Sequence, residues 1–451
     1  MKIEYGIARR CINPAVPVSL AGYFNIRMWD RVLDDLEVRA VVFKQGPTYA
    51  ALLHFDLVTV PLYMCDQILD GIRQAGITEI TRENLTVSAI HTHTGPEIRF
   101  GRGGFNPDYP PFAVKMAVEA LCEAFRNRQE GELVHGQTAD ARFLFNRRYW
   151  MKNGRVMTNP GKLNPDIVRP EGEIDPEIPM MGILSNGQLK VLFCSIVNHT
   201  DTIGGTGVSA DWNGFLRRII EKDLGPDSMV CALLGASGNI NHFDVATDRG
   251  QTCYAEAERI GKGYAETIRA ALPTLREIEG DAMKTVFAEV AVMPREISEK
   301  EIADARAVVE KFKDMDINTG ADMTSEDLAK GAPAVLKYFA EKLLDQAACR
   351  EKQRLYLTGI AFGSSVMLAS LPCEPFTEIG LAVRKMIFAG RTCLIASLAN
   401  GTGSYRCGGG YIPNAWNYGR GGYEDTPRSN PFSVKTAEMV VAGWRNLAGR
   451  L

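Results

Sequence analysis

The sequence predicts an α/β fold, a layered domain with mixed, largely antiparallel β-sheets flanked by helices and carrying one helical insertion. Three observations lead there. Strand-like and helix-like stretches alternate along the whole chain. Short turn signals such as Ser185-Asn186-Gly187 join neighbouring apolar runs, as in β-hairpins. No Pro/Ser/Gly linker, low-complexity tract or repeat divides the 451 residues, so 1–451 reads as a single domain.

In chain order, Val38 to Phe43 and Ala50 to Phe55 read as strands around Gln45-Gly46-Pro47, with Leu62 to Gln74 a helix after them. Leu85 to Ile90 is a strand. Pro111 to Arg126 is a helix, with Phe112, Met116, Ala120 and Ala124 spaced i, i+4. Met181 to Leu184 and Leu189 to Ile196 form the Asn-Gly hairpin. Further helices are predicted over Phe215 to Lys222, Ala255 to Leu272 and Ser433 to Asn446. Between 297 and 354 the character changes: Ser298-Glu299-Lys300-Glu301 is a capping box, and a second helix begins near Ala334. This stretch reads as an inserted helical hairpin, either a solvated decoration or a lid.

Composition narrows the function. Hydrophobic residues make up 45% and charged residues 23%, the balance of a globular protein. A chain this long buries roughly three quarters of its unfolded surface, so a metal site in it is more apt to serve chemistry than folding. Lys plus Arg number 51 against 54 Asp plus Glu, leaving no basic excess for nucleic acid. Three glycine-rich stretches, around Gly103, Gly409 and Gly421, match neither a dinucleotide-binding nor a phosphate-binding loop. The ten cysteines include no Cys-x-x-Cys pair and suit free thiols in a reducing cytoplasm. With no signal-peptide core and no spanning segment, a cytoplasmic protein with a small-molecule substrate and no membrane partner is expected.

Three strand–turn–strand units each end in a residue capable of chemistry, ten to twelve positions past a glycine: Gly46 to Asp56, Gly187 to His199, and Gly363 to Glu374. Strand ends converge where open α/β sheets place their sites, so three distant segments are expected to build one pocket. Two of the six histidines lie in Ala89-Ile90-His91-Thr92-His93-Thr94-Gly95-Pro96. At a strand end the two-residue period sets both imidazoles on one face, to hold one metal or to supply one ligand and one proton carrier. Two histidines and a glutamate are a set that zinc hydrolases use.

Taken together these residues resemble the catalytic domain of the neutral/alkaline non-lysosomal ceramidase family. The resemblance is carried by Ser88 to Pro96, by Val197-Asn198-His199 with Ser209-Ala210-Asp211-Trp212-Asn213-Gly214, and by Leu371-Pro372-Cys373-Glu374. It continues in Leu398-Ala399-Asn400-Gly401, Gly410-Tyr411-Ile412-Pro413 and Gly421-Gly422-Tyr423-Glu424. It implies a zinc amidase with His91, His199, Glu374 and Tyr411 as metal ligands. His93, Arg147 and Tyr423 would line the carbonyl side as the catalytic set, with His93 protonating the leaving group. The family's Gly-Asp-Val-Ser-Pro-Asn segment reads Gly238-Asn239-Ile240-Asn241-His242-Phe243 here, which leaves Asn239 and Asn241 as the substrate-side contacts. Thr402 to Gly409 looks like an insertion, and the family's carboxy-terminal β-sandwich is not part of the sequence. The expectation is a zinc-dependent hydrolase that cleaves the amide of a small soluble substrate, not ceramide, through a metal-bound hydroxide. An esterase or lactonase on the same metal site and a non-catalytic ligand-binding homologue are the alternatives.

Overall fold

Alternate residues of the predicted hairpins divide between two apolar layers. Val38, Ala40 and Val42 face one layer, whereas Val41 and Phe43 face the other. The same split separates Leu192, Cys194 and Ile196 from Val191 and Phe193. Strands buried on both faces in this way must lie between two covering layers. A computed structural model, which describes residues 1–315, 327, 330–349, 351–401 and 410–451, shows what covers them.

The larger sheet comprises β1 (Lys2–Cys11), β2 (Glu37–Gln45), β3 (Thr48–Phe55), β4 (Leu85–Ala89), β5 (Gln129–Ala139), β6 (Glu177–Ser185), β7 (Gln188–Ile196) and β8 (Met229–Leu234), with the short β9 (Arg276–Glu277) beside β5. Its order is β8-β7-β6-β5-β1-β2-β3-β4. The smaller sheet runs β10 (Met283–Val292), β11 (Gln353–Phe362), β12 (Val366–Ser370) and β13 (Thr392–Ala396) in sequence order. Phe43, Phe193 and Leu233 of the first sheet meet Phe362, Val366 and Leu368 of the second in one core between the sheets. The helices Leu62–Gln74 and Tyr109–Arg126 cover the outer face of β1–β4, and Asp211–Leu224 and Tyr254–Ala271 cover that of β6–β8. The helix Thr436–Ala448 covers the outer face of the smaller sheet through Val440 and Trp444. The result is helix, sheet, sheet, helix: the layered, mostly antiparallel α/β fold the sequence predicts.

Three adjacent pairs are parallel: β3 with β4, β7 with β8, and β12 with β13. A parallel neighbour requires a crossover. Here each crossover contains a helix: Leu62–Gln74, Asp211–Leu224 and the short Thr377–Leu381. The same unit of hairpin, helix and parallel strand therefore occurs three times. The middle hairpin turns at Asn186 (φ 51°) and Gly187 (φ 76°), the left-handed pair that a two-residue turn demands.

The stretch 297–354 holds the helices Glu299–Lys311 and Pro333–Ala347. Ser298 Oγ accepts from the Glu301 amide and Glu301 Oε2 accepts from the Ser298 amide, closing the expected capping box. The first helix buries Ala305 only and is solvated as expected. The second is more than decoration, because Tyr338 is buried against Phe24 at a ring separation of 5.4 Å. The expectation of free thiols holds at eight cysteines and fails at Cys349, which is disulfide-bonded. Among the described residues no helix is long and apolar enough to cross a membrane.

Candidate metal centre

The carboxyl ends of the three parallel pairs supply the site. His91 follows β4, His199 follows β7, and Glu374 follows β12. Their rings and carboxylate converge: His91 Nε2 lies 3.3 Å from Glu374 Oε2, and His199 Nε2 lies 3.5 Å from the same oxygen. His93 joins them, with its Nε2 3.2 Å from His91 Nε2.

The histidine pair meets for a different reason from the expected one. The strand ends at Ala89, and His91 takes a left-handed backbone, φ 67°. That turn, rather than strand pleating, brings the two imidazoles to a centroid distance of 4.8 Å. Cys373, beside Glu374, is also left-handed at φ 59°. Such conformations cost about 1–3 kcal/mol each and persist where the surroundings over-determine them. Here the His91 amide donates to Leu57 O at 3.0 Å, and the Glu374 amide donates to Gly410 O at 3.1 Å.

Hydrogen bonds define the tautomers. His91 Nδ1 is 2.7 Å from Val58 O, and His199 Nδ1 is 2.9 Å from Ser237 O. A carbonyl only accepts, so both Nδ1 atoms carry the proton and both Nε2 atoms present lone pairs. His93 Nδ1 is 3.1 Å from Asp201 Oδ1, with the same consequence. Burial and the neighbouring Arg147 push the His199 pKa down to about 3, and burial lowers that of His93 despite Asp201. Burial raises the Glu374 carboxyl pKa, whereas positive charge at the His91 and His199 positions, as on protonated rings, outweighs burial and holds it well below the usual carboxylate range. Three imidazole lone pairs and a carboxylate thus face one another, and Glu374 Oε2 is buried with no hydrogen-bond donor. Acceptors facing acceptors fit a cation, and imidazoles that give their second N–H to a carbonyl or carboxylate are the usual metal-binding form.

The remaining predicted residues surround this cluster. Tyr411 pairs with Glu374 in a two-residue parallel bridge and is buried, its phenol pKa raised well above the ordinary value by burial. Arg147 donates to Glu424 Oε1 and to Gly238 O, both at 2.8 Å, and its Nη1 donates to His199 Nε2 at 3.3 Å, a bond that a metal at this nitrogen would replace. Tyr423 stacks edge-on against Tyr411 at 5.5 Å. Asn239 and Asn241 lie nearby with their amides engaged. Asn239 Oδ1 accepts from the Thr377 amide at 2.8 Å, and its Nδ2 donates to Glu378 at 3.2 Å. Asn241 Nδ2 donates to Asn159 at 3.0 Å, and its Oδ1 accepts from the Phe243 amide. The insertion expected at Thr402 to Gly409 lies outside the described residues.

Asp56, the carboxylate at the end of the first unit, is a correction. Arg217, from the Asp211–Leu224 helix, donates to both of its oxygens at 2.7 Å, so it is consumed in a buried ion pair. The first unit instead contributes through its parallel strand, and the segment after Asp56 supplies the Leu57 and Val58 carbonyls that hold His91.

Sequence reasoning missed three partners. Asp201 holds His93 and accepts from Tyr23 Oη at 2.8 Å. Its position two residues past His199 was the available signal. Glu424, fully buried, receives Arg147, Arg148 and Thr158. Arg428 donates to Tyr423 Oη at 3.1 Å, and no spacing announces it.

No family model matches the chain, and no curated protein matches it in sequence. Among solved structures, neutral ceramidase from Pseudomonas aeruginosa matches with a TM-score of 0.73 at 18% identity, over 99% of this chain and 74% of that one. A ceramidase complexed with C2 matches with a TM-score of 0.72 at 15% identity, over 99% of this chain and 75% of that one. The chain has a neutral ceramidase-like fold.

Proposed function

We propose that the protein is a metal-dependent hydrolase that cleaves a linear C–N amide bond in a small soluble substrate. The observation carrying this reading is the buried Glu374 Oε2, lacking a donor and facing the lone pairs of His91 and His199. In this reading His91, His199 and Glu374 hold the metal with Tyr411 beside them, and the nitrogen-plus-carboxylate donor set suits zinc. Bound there, the ion supplies Lewis acidity and a water whose pKa falls from 15.7 toward about 7.

The other residues act on the substrate. Tyr423 Oη accepts from Arg428, which leaves its own hydrogen to donate to a carbonyl oxygen. Arg147 brings a fixed positive charge to the same side, held by Glu424 and the Gly238 carbonyl. Donors aimed at developing negative charge are worth about 3–4 kcal/mol each in acyl transfer. His93, oriented through Nδ1 by Asp201, receives a proton at Nε2 and delivers it to the leaving nitrogen. The Asn239 side chain holds the start of the Thr377–Leu381 helix and its backbone O accepts from the Arg147 amide, whereas Asn241 is engaged with Asn159 and the Phe243 amide. A cytoplasmic location is part of the proposal; eight free thiols support it, and the disulfide at Cys349 weighs against it. Neither a nucleic acid nor a membrane is a proposed partner.

The test is elemental analysis of purified wild type beside His199→Ala, followed by hydrolysis of matched N-acyl amides and esters. About one zinc per chain, lost in the variant, with turnover of amides, supports the reading. Turnover of the esters alone assigns an esterase on the same site. A wild type that takes up no metal even when zinc is supplied sinks the hydrolase and leaves a ligand-binding protein.

A further inference from the structure

Three arginines lie close to the candidate site with one acid among them. Arg99 is matched, donating to Glu97 through Nε at 2.7 Å and Nη2 at 2.6 Å. Arg102 and Arg428 are not matched: among the described residues neither meets a carboxylate. Their side-chain partners are phenol oxygens. Arg428 Nε donates to Tyr338 Oη at 3.2 Å and its Nη1 to Tyr423 Oη at 3.1 Å, while Arg102 Nη1 reaches Tyr338 Oη at 3.4 Å. Several buried arginines are paired with acids instead, as at Arg217–Asp56 and Arg148–Glu424. Two half-buried guanidiniums converging on one phenol contrast with these pairs, because close like charges repel in a partly desolvated setting. The Arg428 charge, with burial and then the Arg99 charge adding to it, brings the Arg102 pKa down to about 10.

The cluster is linked to the metal centre through side-chain contacts, from Arg428 to Tyr423 and from Tyr423 to Tyr411. Arg99 and Arg102 follow the His91-Thr92-His93 turn, and Arg428 follows Tyr423, whose ring touches that of Tyr411. Arg428 also lies over the Phe24 ring at 5.2 Å, and Phe24 meets both Tyr423 and Tyr338 edge-on. The cluster thus combines an aromatic wall with spare guanidinium donors, and guanidinium is the group best matched to planar or tetrahedral oxyanions.

We propose that Arg102 and Arg428 form an anion subsite, and that the substrate carries a carboxylate or phosphate within a few bonds of the amide to be cleaved. The second half rests on the hydrolase reading above; the first does not. Anchoring the Pro333–Ala347 helix through Tyr338 does not by itself account for the cluster, since one neutral phenol leaves both charges uncompensated.

The experiment is calorimetric titration of the purified full chain with N-acetylglycine, its neutral analogue N-acetylglycinamide, and N-acetyl-O-phosphoethanolamine. At least one anionic amide should bind about tenfold or more tightly than the neutral one, and added salt should narrow the gap. Whichever anion binds more tightly names the group. Arg102→Gln and Arg428→Gln should each remove most of the preference, and Arg428→Lys should restore part of it, whereas a helix-anchoring role alone would lower the melting temperature and leave the preference intact. Equal affinity for neutral and anionic amides, or a preference unmoved by both Gln variants, overturns the subsite. Tight binding of an anionic amide without turnover would count against the hydrolase and leave the subsite standing. Equal kcat/KM for neutral and anionic amides would do the reverse.

Discussion

Glu374 Oε2 and His91 Nε2 are 3.3 Å apart, and in the neutral imidazole, whose one hydrogen sits on Nδ1 and is donated to Val58 O, no hydrogen lies between them. Two acceptors at that separation are held together only by the fold unless a cation joins them. His199 Nε2, 3.5 Å from the same oxygen, adds to the effect, although Arg147 Nη1 also reaches that nitrogen at 3.3 Å.

The first prediction follows from that geometry. A chelator should lower the melting temperature of the wild type and zinc should restore it, since a ligand at a thousandfold its Kd adds about 4 kcal/mol to stability. In Glu374→Gln the amide nitrogen can donate to an imidazole lone pair, so the melting temperature should become insensitive to chelator and zinc. Differential scanning calorimetry with and without the chelator reads this directly. A wild type whose unfolding ignores both additions would exclude a metal at these residues.

Asp56 provides the second. Both of its oxygens are bound by Arg217, and both side chains are almost fully buried. Removing one partner of such a pair typically costs about 3–5 kcal/mol, because the other is left charged and unmatched. Asp56→Ala should therefore be strongly destabilised in urea, yet its folded fraction should keep the wild-type metal content. Loss of metal from a protein that is still folded would return Asp56 to the site.

The two residues show where sequence reasoning succeeds and where it stops. Glycine turns and alternating apolar runs mark the hairpins because they are local signals, and a residue just past a strand end is positioned by the sheet itself. His199 and Glu374 were legible for that reason. Asp56 occupies an equivalent position but is taken by Arg217, 161 residues away, and no local pattern records which strand-end carboxylate a distant helix will neutralise. Asp201, Glu424 and Arg428 sit in irregular segments whose course is set by tertiary contacts. His91 was found by a partly mistaken route, since its ring is aimed by a left-handed turn and not by the strand period.

The third prediction concerns acid stability. Glu256 is buried and receives Arg249 at 2.6 and 3.0 Å and Arg259 at 2.8 and 2.6 Å. Burial pushes its pKa up, but the hydrogen bonds from Arg259 and Arg249 outweigh it and bring it down to about 2. The unfolded value is about 4.3, so the unfolded chain binds the proton more readily. The stabilisation is thus fully present above about pH 4.3 and is lost as pH falls through about 2. Glu256→Gln should melt below wild type at pH 7, and the gap should close between pH 4 and pH 2. A gap that persists at pH 2 would show that the loss is one of packing rather than charge.

The fourth prediction isolates His93. Gly22 has φ 93°, and a Cβ built on it would stand 2.4 Å from His93 Cγ and 2.7 Å from Nδ1. Alanine there must displace the imidazole and break its contact with Asp201. General acid–base catalysis by a positioned side chain is worth about 10²–10⁴-fold, so Gly22→Ala should lower kcat toward the level of His93→Ala while zinc content stays at wild type. Asp201→Asn should fall in the same direction, because the amide no longer stabilises a protonated His93. The left-handed alanine itself costs about 1–2 kcal/mol of stability, which a melting curve separates from the kinetic loss. If Gly22→Ala turns over amides at the wild-type rate with KM unchanged, the orientation of His93 does not govern the reaction and the proton passes elsewhere.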